Sequence, residues 1–179
     1  HQYSFNRNLS NSTTVFGTGI SSNVSSAGGW TDKSPVNYGA RSVFEFAYPV
    51  GDNMHLTGKA GGEFQQQYAQ IIGYGMVTNP DTNQFYNTIG AMRSNQATRT
   101  QTGSLFTEWV LHLKGDFSVT AGIGWSSMSI RLDDRFYVAG NTHPTRYEAR
   151  YTDMVSPHLA VNKIFNEKMS VYASYAKGY

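Results

Sequence analysis

The chain has 179 residues, a formal net charge of +2 and only 15% charged residues, well below the roughly 25% of an average soluble domain. Lysines and arginines are scattered rather than clustered, which argues against a nucleic-acid-binding surface. Cysteine is absent, so disulfides and thiolate metal sites are excluded. No apolar run approaches about 18 residues, which excludes a transmembrane helix. Aromatic residues reach 14%, and many tyrosines with few charges suit a β protein whose two faces meet different surroundings.

Segments of period-two alternation, which indicate half-buried β-strands, recur along the chain. Residues 1–20 alternate weakly, and residues 21–37, rich in Ser, Gly and Asn, are predicted as a loop. Residues 69–97 lack clear periodicity and are predicted as a long loop, and the middle of the polar and aromatic segment 131–150 is predicted as a second one. The clearest strands are predicted at 39–48, 54–68, 98–114 and 117–130, followed by a closing hairpin at 156–179.

The alternation assigns side chains to two faces. One face is apolar and is predicted to face outward; it holds Phe44, Phe46, Tyr48, Trp109, Phe117, Trp125 and Tyr175. The other face is polar and is predicted to line an interior; it holds Arg41, Glu45, Lys59, Glu63, Glu108 and His112.

Connection lengths differ between the two ends of the predicted strands. Tight turns are predicted at Asn53, Gly115 and Asn166, whereas the connections at the opposite end are long. This asymmetry is typical of a transmembrane β-barrel with short periplasmic turns and long extracellular loops. We therefore predict an all-β fold, an antiparallel barrel segment of about seven long strands. A porin-like passive barrel and a secreted β-sandwich or adhesin remain alternatives, and the sandwich requires a second sheet over Trp109 and Leu111.

No catalytic or metal-binding constellation is predicted. The histidines lack the spacing of a metal pair on one strand face. Asp133, Asp134 and His143 fall in one predicted loop, where paired carboxylates are most often a solvated turn rather than a site that activates water. The sequence therefore favours a protein that is not an enzyme and needs no cofactor.

The closing hairpin resembles a known family. Residues 156–162 (SPHLAVN) and 169–179 (MSVYASYAKGY) resemble a signature of TonB-dependent outer-membrane receptors, and residues 117–125 (FSVTAGIGW) resemble the strand that precedes it. Gly124 and Trp125 stand where the family pattern has Arg and Tyr. The specific part of the resemblance covers residues 103–179.

The resemblance implies that residues 1–179 are part of a receptor barrel in the bacterial outer membrane, without its plug domain or its C-terminal strand. It implies active transport of a scarce nutrient, with a ferric siderophore as the first candidate, driven by TonB through the plug. Outer-membrane lipid and lipopolysaccharide are the expected surroundings. Anionic iron chelates suit Arg and Tyr donors. The expected ligand contacts in the loops are Tyr74, Tyr86, Arg93, Arg99, Arg135, Tyr137 and Arg146.

Overall fold

The structure is a computed structural model that describes residues 1–26, 28–79, 84–136 and 145–178. These residues form one antiparallel sheet in which neighbouring strands follow chain order, except that the second and third strands both pair with the same edge of the fourth. In the described residues, no helix is long and apolar enough to cross a membrane. The strands are β1 (Gln2–Asn6), β2 (Leu9–Gly19), β3 (Ser22–Ser26), β4 (Gly29–Gly51), β5 (Met54–Asn79), β6 (Gln84–Leu113), β7 (Phe117–Asp134), β8 (Arg146–Asn166) and β9 (Met169–Ala176).

Strands β2 and β3 pair with the same edge of β4, one after the other, as a single interrupted strand would. Gly19 pairs with Val36 and Ser22 pairs with Lys33, so the register is the same on both sides of the break. Pro35 explains the break: the Ile20 amide donates to the Pro35 carbonyl at 3.0 Å, but proline has no N–H to return the bond. The nine strands therefore occupy eight positions across the sheet, against about seven predicted.

The three predicted tight turns are confirmed. Strands β4 and β5 are joined at Asp52–Asn53, strands β6 and β7 at residues 114–116, and strands β8 and β9 at residues 167–168. Gly115 adopts a φ of 76°, a left-handed conformation that glycine accepts without steric cost. Because the strands alternate in direction, all three turns lie at the same end of the sheet, which we call the turn end.

The loops predicted at 21–37 and 69–97 are wrong over most of their length. Strand β4 already begins at Gly29, β5 continues to Asn79 and β6 starts at Gln84. In the segment 131–150, β7 extends to Asp134 and β8 begins at Arg146, and most of the loop predicted between them lies outside the described residues. The hydrogen-bonded ladder continues in these segments, but polar and apolar residues fall on both faces, so the period-two signal disappears. Strands of 26 and 30 residues in β5 and β6 far exceed the roughly 9–11 needed to cross a bilayer.

The register confirms that the predicted residues divide between two faces of the sheet. One row across the sheet runs through Phe46, Gly58, Trp109, Ala121, Leu159 and Tyr175, and we call this side the apolar face. Its side chains are open to the surroundings: Leu105 is 60% exposed and Tyr175 is 66% exposed. Among the described residues, only Met76 and Ala97 are buried apolar side chains, and no second sheet covers the face. The second sheet that the sandwich alternative requires is absent from this part of the chain.

The apolar face ends at a defined height. Along β7 it presents Phe117, Val119, Ala121, Ile123 and Trp125, and then Ser127, Ser129, Arg131 and Asp133. The apolar part spans about 27 Å of strand, or roughly 20 Å across a membrane at the usual barrel tilt. This matches the lipid-facing band of an outer-membrane barrel, with Trp125 at its upper boundary.

Candidate functional site

The face opposite the apolar one carries a row of ionisable side chains from four strands, and we call this side the charged face. Glu45, Lys59, Glu108, Gly122 and His158 are in register. Lys59 Nζ lies 3.1 Å from Glu45 Oε1, and His158 Nε2 lies 2.9 Å from Glu108 Oε2. A Cβ atom at Gly122 would lie 2.7 Å from His158 Nε2, so this glycine leaves the space through which the imidazole reaches Glu108. The row borders a concavity of about 800 Å³.

Further polar residues extend the charged face along the strands. Arg41 Nε lies 3.7 Å from Glu63 Oε2, and its guanidinium lies 5.9 Å from the Phe106 ring centroid. Nearer the turn end, the rings of His55 and His112 stack with centroids 4.1 Å apart. All six residues predicted to be interior therefore share one face. That this face lines a barrel interior stays a prediction.

The structure brings only some of the predicted ligand contacts together, because Arg135 and Arg146 line one depression but the others lie elsewhere. Tyr137 lies outside the described residues, and Tyr86 belongs to β6. Tyr74 pairs with Trp30 on the apolar face, above the lipid-facing band. Arg99 and Arg146 share that face, because Arg99 pairs with Arg131 and Arg146 pairs with Asp133.

Among the predicted ligand contacts whose side chains the structure describes, Arg93 lies on the charged face. It sits where the β5–β6 register shifts between Gly73 and Tyr74, so it has no partner in the ladder. Its guanidinium packs on Gly75, where an added Cβ atom would lie 2.6 Å from Arg93 Nε. Gly75 belongs to the charged face through its pairing with Gly29. Arg93 is thus an exposed cation at the end of this face away from the short turns.

A group of charged residues lies on the apolar side of the sheet above Trp125, and we call it the arginine patch. Arg131 Nε lies 3.0 Å from Asp133 Oδ2 and 3.8 Å from Glu148 Oε1. Arg146 Nε lies 2.8 Å from Asp133 Oδ1. The patch consists of Arg99, Arg131, Arg146 and Arg150 with the carboxylates of Asp133 and Glu148.

Arg131, Glu148 and Arg150 were not predicted as site residues, because the predicted alternation of β7 ends at residue 130 and the next strand is predicted only from residue 156. Extending the alternation of β7 by eight residues past Trp125 would have placed Arg131 and Asp133 on the apolar side. Extending the alternation of β8 backward would not have assigned Arg150 to the correct face. The pairing of β8 shifts opposite residues 126–128, and Asp153 there has a φ of 59°, so the alternation is interrupted.

Asp133 is held in its ionised form by the patch. Its hydrogen bond from Arg146, assisted by Arg131, lowers the pKa of the carboxyl below its ordinary value of 3.8, against a smaller opposing effect of desolvation. Asp133 lies eight residues beyond Trp125, outside the lipid-facing band. Because the folded pKa is lowered, the ion pairs stabilise the fold above pH 3.8, and this stabilisation is lost as the pH falls through the lowered value.

We expect Asp133→Asn to lower stability at pH 7, with the difference from the wild type shrinking as the pH falls below 3.8 and through the lowered pKa of the carboxyl. Urea unfolding of the full receptor in lipid vesicles at pH 7, 5 and 3 measures that difference. A wild-type advantage that is equal at all three pH values would contradict the ion pairs described for Asp133.

No group of three or more His, Cys, Asp or Glu side chains in the described residues is arranged to hold a metal ion. The described residues instead form two separate groups of charged side chains, one on each face of the sheet. The charged face presents paired acids and bases along an open concavity, and the apolar side presents guanidinium groups above a lipid-facing band. Both belong to a membrane-embedded barrel wall.

Comparison with known proteins agrees with this class. The family model described as TonB dependent receptor-like, beta-barrel matches residues 1–179, and the chain belongs to this family of bacterial outer-membrane proteins. No curated protein sequence matches the chain.

Solved structures show the same fold. The unliganded ferric citrate transporter FecA superposes with a TM-score of 0.73 at 13% identity, over 97% of this chain and 25% of FecA. The siderophore receptor PiuA from Acinetobacter baumannii gives 0.72 at 11% identity, over 98% and 30%. The open form of the ferric-catecholate import receptor Fiu from E. coli K12 gives 0.65 at 16% identity, over 99% and 34%. The chain thus spans a quarter to a third of the length of these structures.

Proposed function

We propose that the chain is part of the barrel wall of an outer-membrane receptor that binds and imports a ferric siderophore. The observation that carries the proposal is the match of the whole chain to the receptor-barrel family. FecA, Fiu and PiuA are described as a ferric citrate transporter, a ferric-catecholate import receptor and a siderophore receptor, which supports an iron chelate as the ligand. In this proposal, TonB supplies energy through a plug domain, and the protein is a transporter rather than an enzyme.

Within this function, Arg93 is the proposed ligand contact of this segment. It lies on the charged face, is exposed, and stands at the end where β5 and β6 rise farthest from the short turns. An anionic ferric chelate arriving from outside would meet this guanidinium before the paired charges deeper in the wall. A charge-assisted hydrogen bond to the chelate would favour capture, because the chelate carries its negative charge on oxygen donors.

The test is a binding measurement with the full receptor. Ferric citrate, a ferric catecholate and a ferric hydroxamate are titrated against the purified protein, and tight, saturable binding of one of them is expected. Arg93→Gln should weaken that binding by about 10–100-fold, the loss expected for one charge-assisted hydrogen bond. Lys114→Gln, in the turn at the opposite end, is the matched control and should bind as the wild type does.

Unselective conductance of small solutes without saturable binding would instead indicate a porin-like passive barrel. Saturable binding that Arg93→Gln leaves intact would keep the receptor function and remove Arg93 from the site.

A further inference from the structure

We propose that the arginine patch binds the phosphate groups of lipopolysaccharide, the phosphorylated glycolipid of the outer leaflet. The proposal depends on the outer-membrane location of the wall and not on which nutrient the receptor imports. It concerns Arg99 and Arg150 above all, with Arg131 and Arg146 as their ion-paired neighbours.

The first argument is position. The patch shares its face with Trp109 and Trp125, so it points toward lipid and not toward the barrel interior. Ser129 and Arg131 follow Trp125 by four and six residues, which places them roughly 10–15 Å above the aromatic boundary at the usual strand tilt. This is the polar layer of the leaflet. Lipopolysaccharide carries phosphates there, on lipid A and on the sugars next to it.

The second argument is the charge balance. Arg99 lies directly opposite Arg131 in the ladder, and like charges in that position repel each other. Asp133 and Glu148 compensate Arg131, and Asp133 also compensates Arg146. Within the described part of the chain, no carboxylate lies within 4.0 Å of the Arg99 or Arg150 guanidinium. Four guanidinium groups therefore face two carboxylates, and an external anion would remove the repulsion.

The third argument is the shape and chemistry of the surface. A depression of about 140 Å³ is lined by side chains from three adjacent strands, and its size suits a phosphate group. Planar guanidinium groups can bind a phosphate through two parallel hydrogen bonds, and the Gln101 amide and Ser129 hydroxyl add further donors. Gln101 is held in place by its bond to Gln66 at 2.9 Å. The depression is lined by Arg99, Gln101, Ser129, Arg131, Glu148 and Arg150.

The test compares lipid A with two phosphates and the same lipid A after enzymatic removal of both phosphates. Each is titrated against the full receptor in nanodiscs of zwitterionic lipid, with native mass spectrometry or fluorescence as the readout. Arg99→Gln with Arg150→Gln should weaken binding of bisphosphorylated lipid A by about 10–30-fold, since each arginine near a charged membrane surface contributes about a factor of five. Binding of the dephosphorylated lipid should not change.

Lys33→Gln with Lys114→Gln is the matched control, because it removes two charges elsewhere. Lys33 lies on the charged face at the long-strand end, and Lys114 lies at the turn end. This control should bind bisphosphorylated lipid A as the wild type does. Arg99→Lys with Arg150→Lys keeps both charges but loses the paired guanidinium hydrogen bonds, so its affinity should lie between those of the wild type and the glutamine double variant. Folding of each variant is verified by the shift of the unheated barrel in SDS gels.

Three results would overturn the proposal. The first is a glutamine double variant that binds bisphosphorylated lipid A as tightly as the wild type. The second is an equal loss for both lipids, which would assign binding to the apolar face alone. The third is competition by inorganic phosphate at concentrations near that of the lipid, which would indicate a free-phosphate site. Siderophore binding by the same variants is measured separately, and its loss or retention does not bear on the lipid site.

Discussion

Replacing Ala121 with arginine is expected to destabilise the barrel in membranes by about 2–4 kcal/mol, the cost of a cation near the bilayer midplane on a lipid-facing strand position. Ala121 is exposed, lies in the middle of the apolar part of β7, and pairs with Trp109 on one side and Leu159 on the other. Urea titration of the full receptor in lipid vesicles, read from the gel mobility of the folded barrel, measures the change.

The neighbouring residue provides the control for the face assignment. Thr120 lies at the same depth, but it pairs with Val110 on the charged face. Thr120→Arg should therefore cost well under half as much as Ala121→Arg, because its guanidinium can remain hydrated. Equal costs at the two positions, or a larger cost at Thr120, would mean that the apolar face is not the lipid-facing one.

A side chain added at Gly58 is expected to lower the stability of the barrel, because Gly58 lies against the indole of Trp109. The indole lies across Gly58 and stacks on Phe46, with ring centroids 5.2 Å apart. A Cβ atom at Gly58 would lie 2.7 Å from Trp109 Cδ2, so a side chain there must displace the indole. Gly58→Val is expected to cost about 1–3 kcal/mol, the usual range for overpacking a well-fitted contact.

A double-mutant cycle isolates this contact. In a Trp109→Ala background the space above Gly58 is empty, so Gly58→Val should cost much less than in the wild type. Gly103→Ala is the matched glycine control, because its added Cβ atom would meet nothing closer than Ser127 Oγ at 3.8 Å. A cost for Gly58→Val that is the same with and without Trp109 would show that the backbone, and not the indole, requires glycine.

The candidate ligand residues show how far sequence reasoning reached. It identified arginines and tyrosines as suitable donors, but it could not assign them to a face, because it had placed them in loops. The register of β6 with β7 now separates Arg99, on the apolar face, from Arg93, which lies over Gly75 on the charged face. Their separation depends on the irregular pairing near Arg93, and no periodicity in the sequence reveals that irregularity.

The sequence by itself determined the strand class, the three tight turns and the two faces wherever one face meets lipid. In those segments the hydrophobic effect imposes a period of two, and period-two alternation can be read directly. Only the tertiary structure decided how far β5, β6, β7 and β8 extend and which side chains meet above Trp125. There the backbone ladder holds the strands together with both faces polar, and hydrogen bonds between backbones leave no pattern in the side chains. The pairing of Arg99 with Arg131, and with it the arginine patch, is therefore a property of the register.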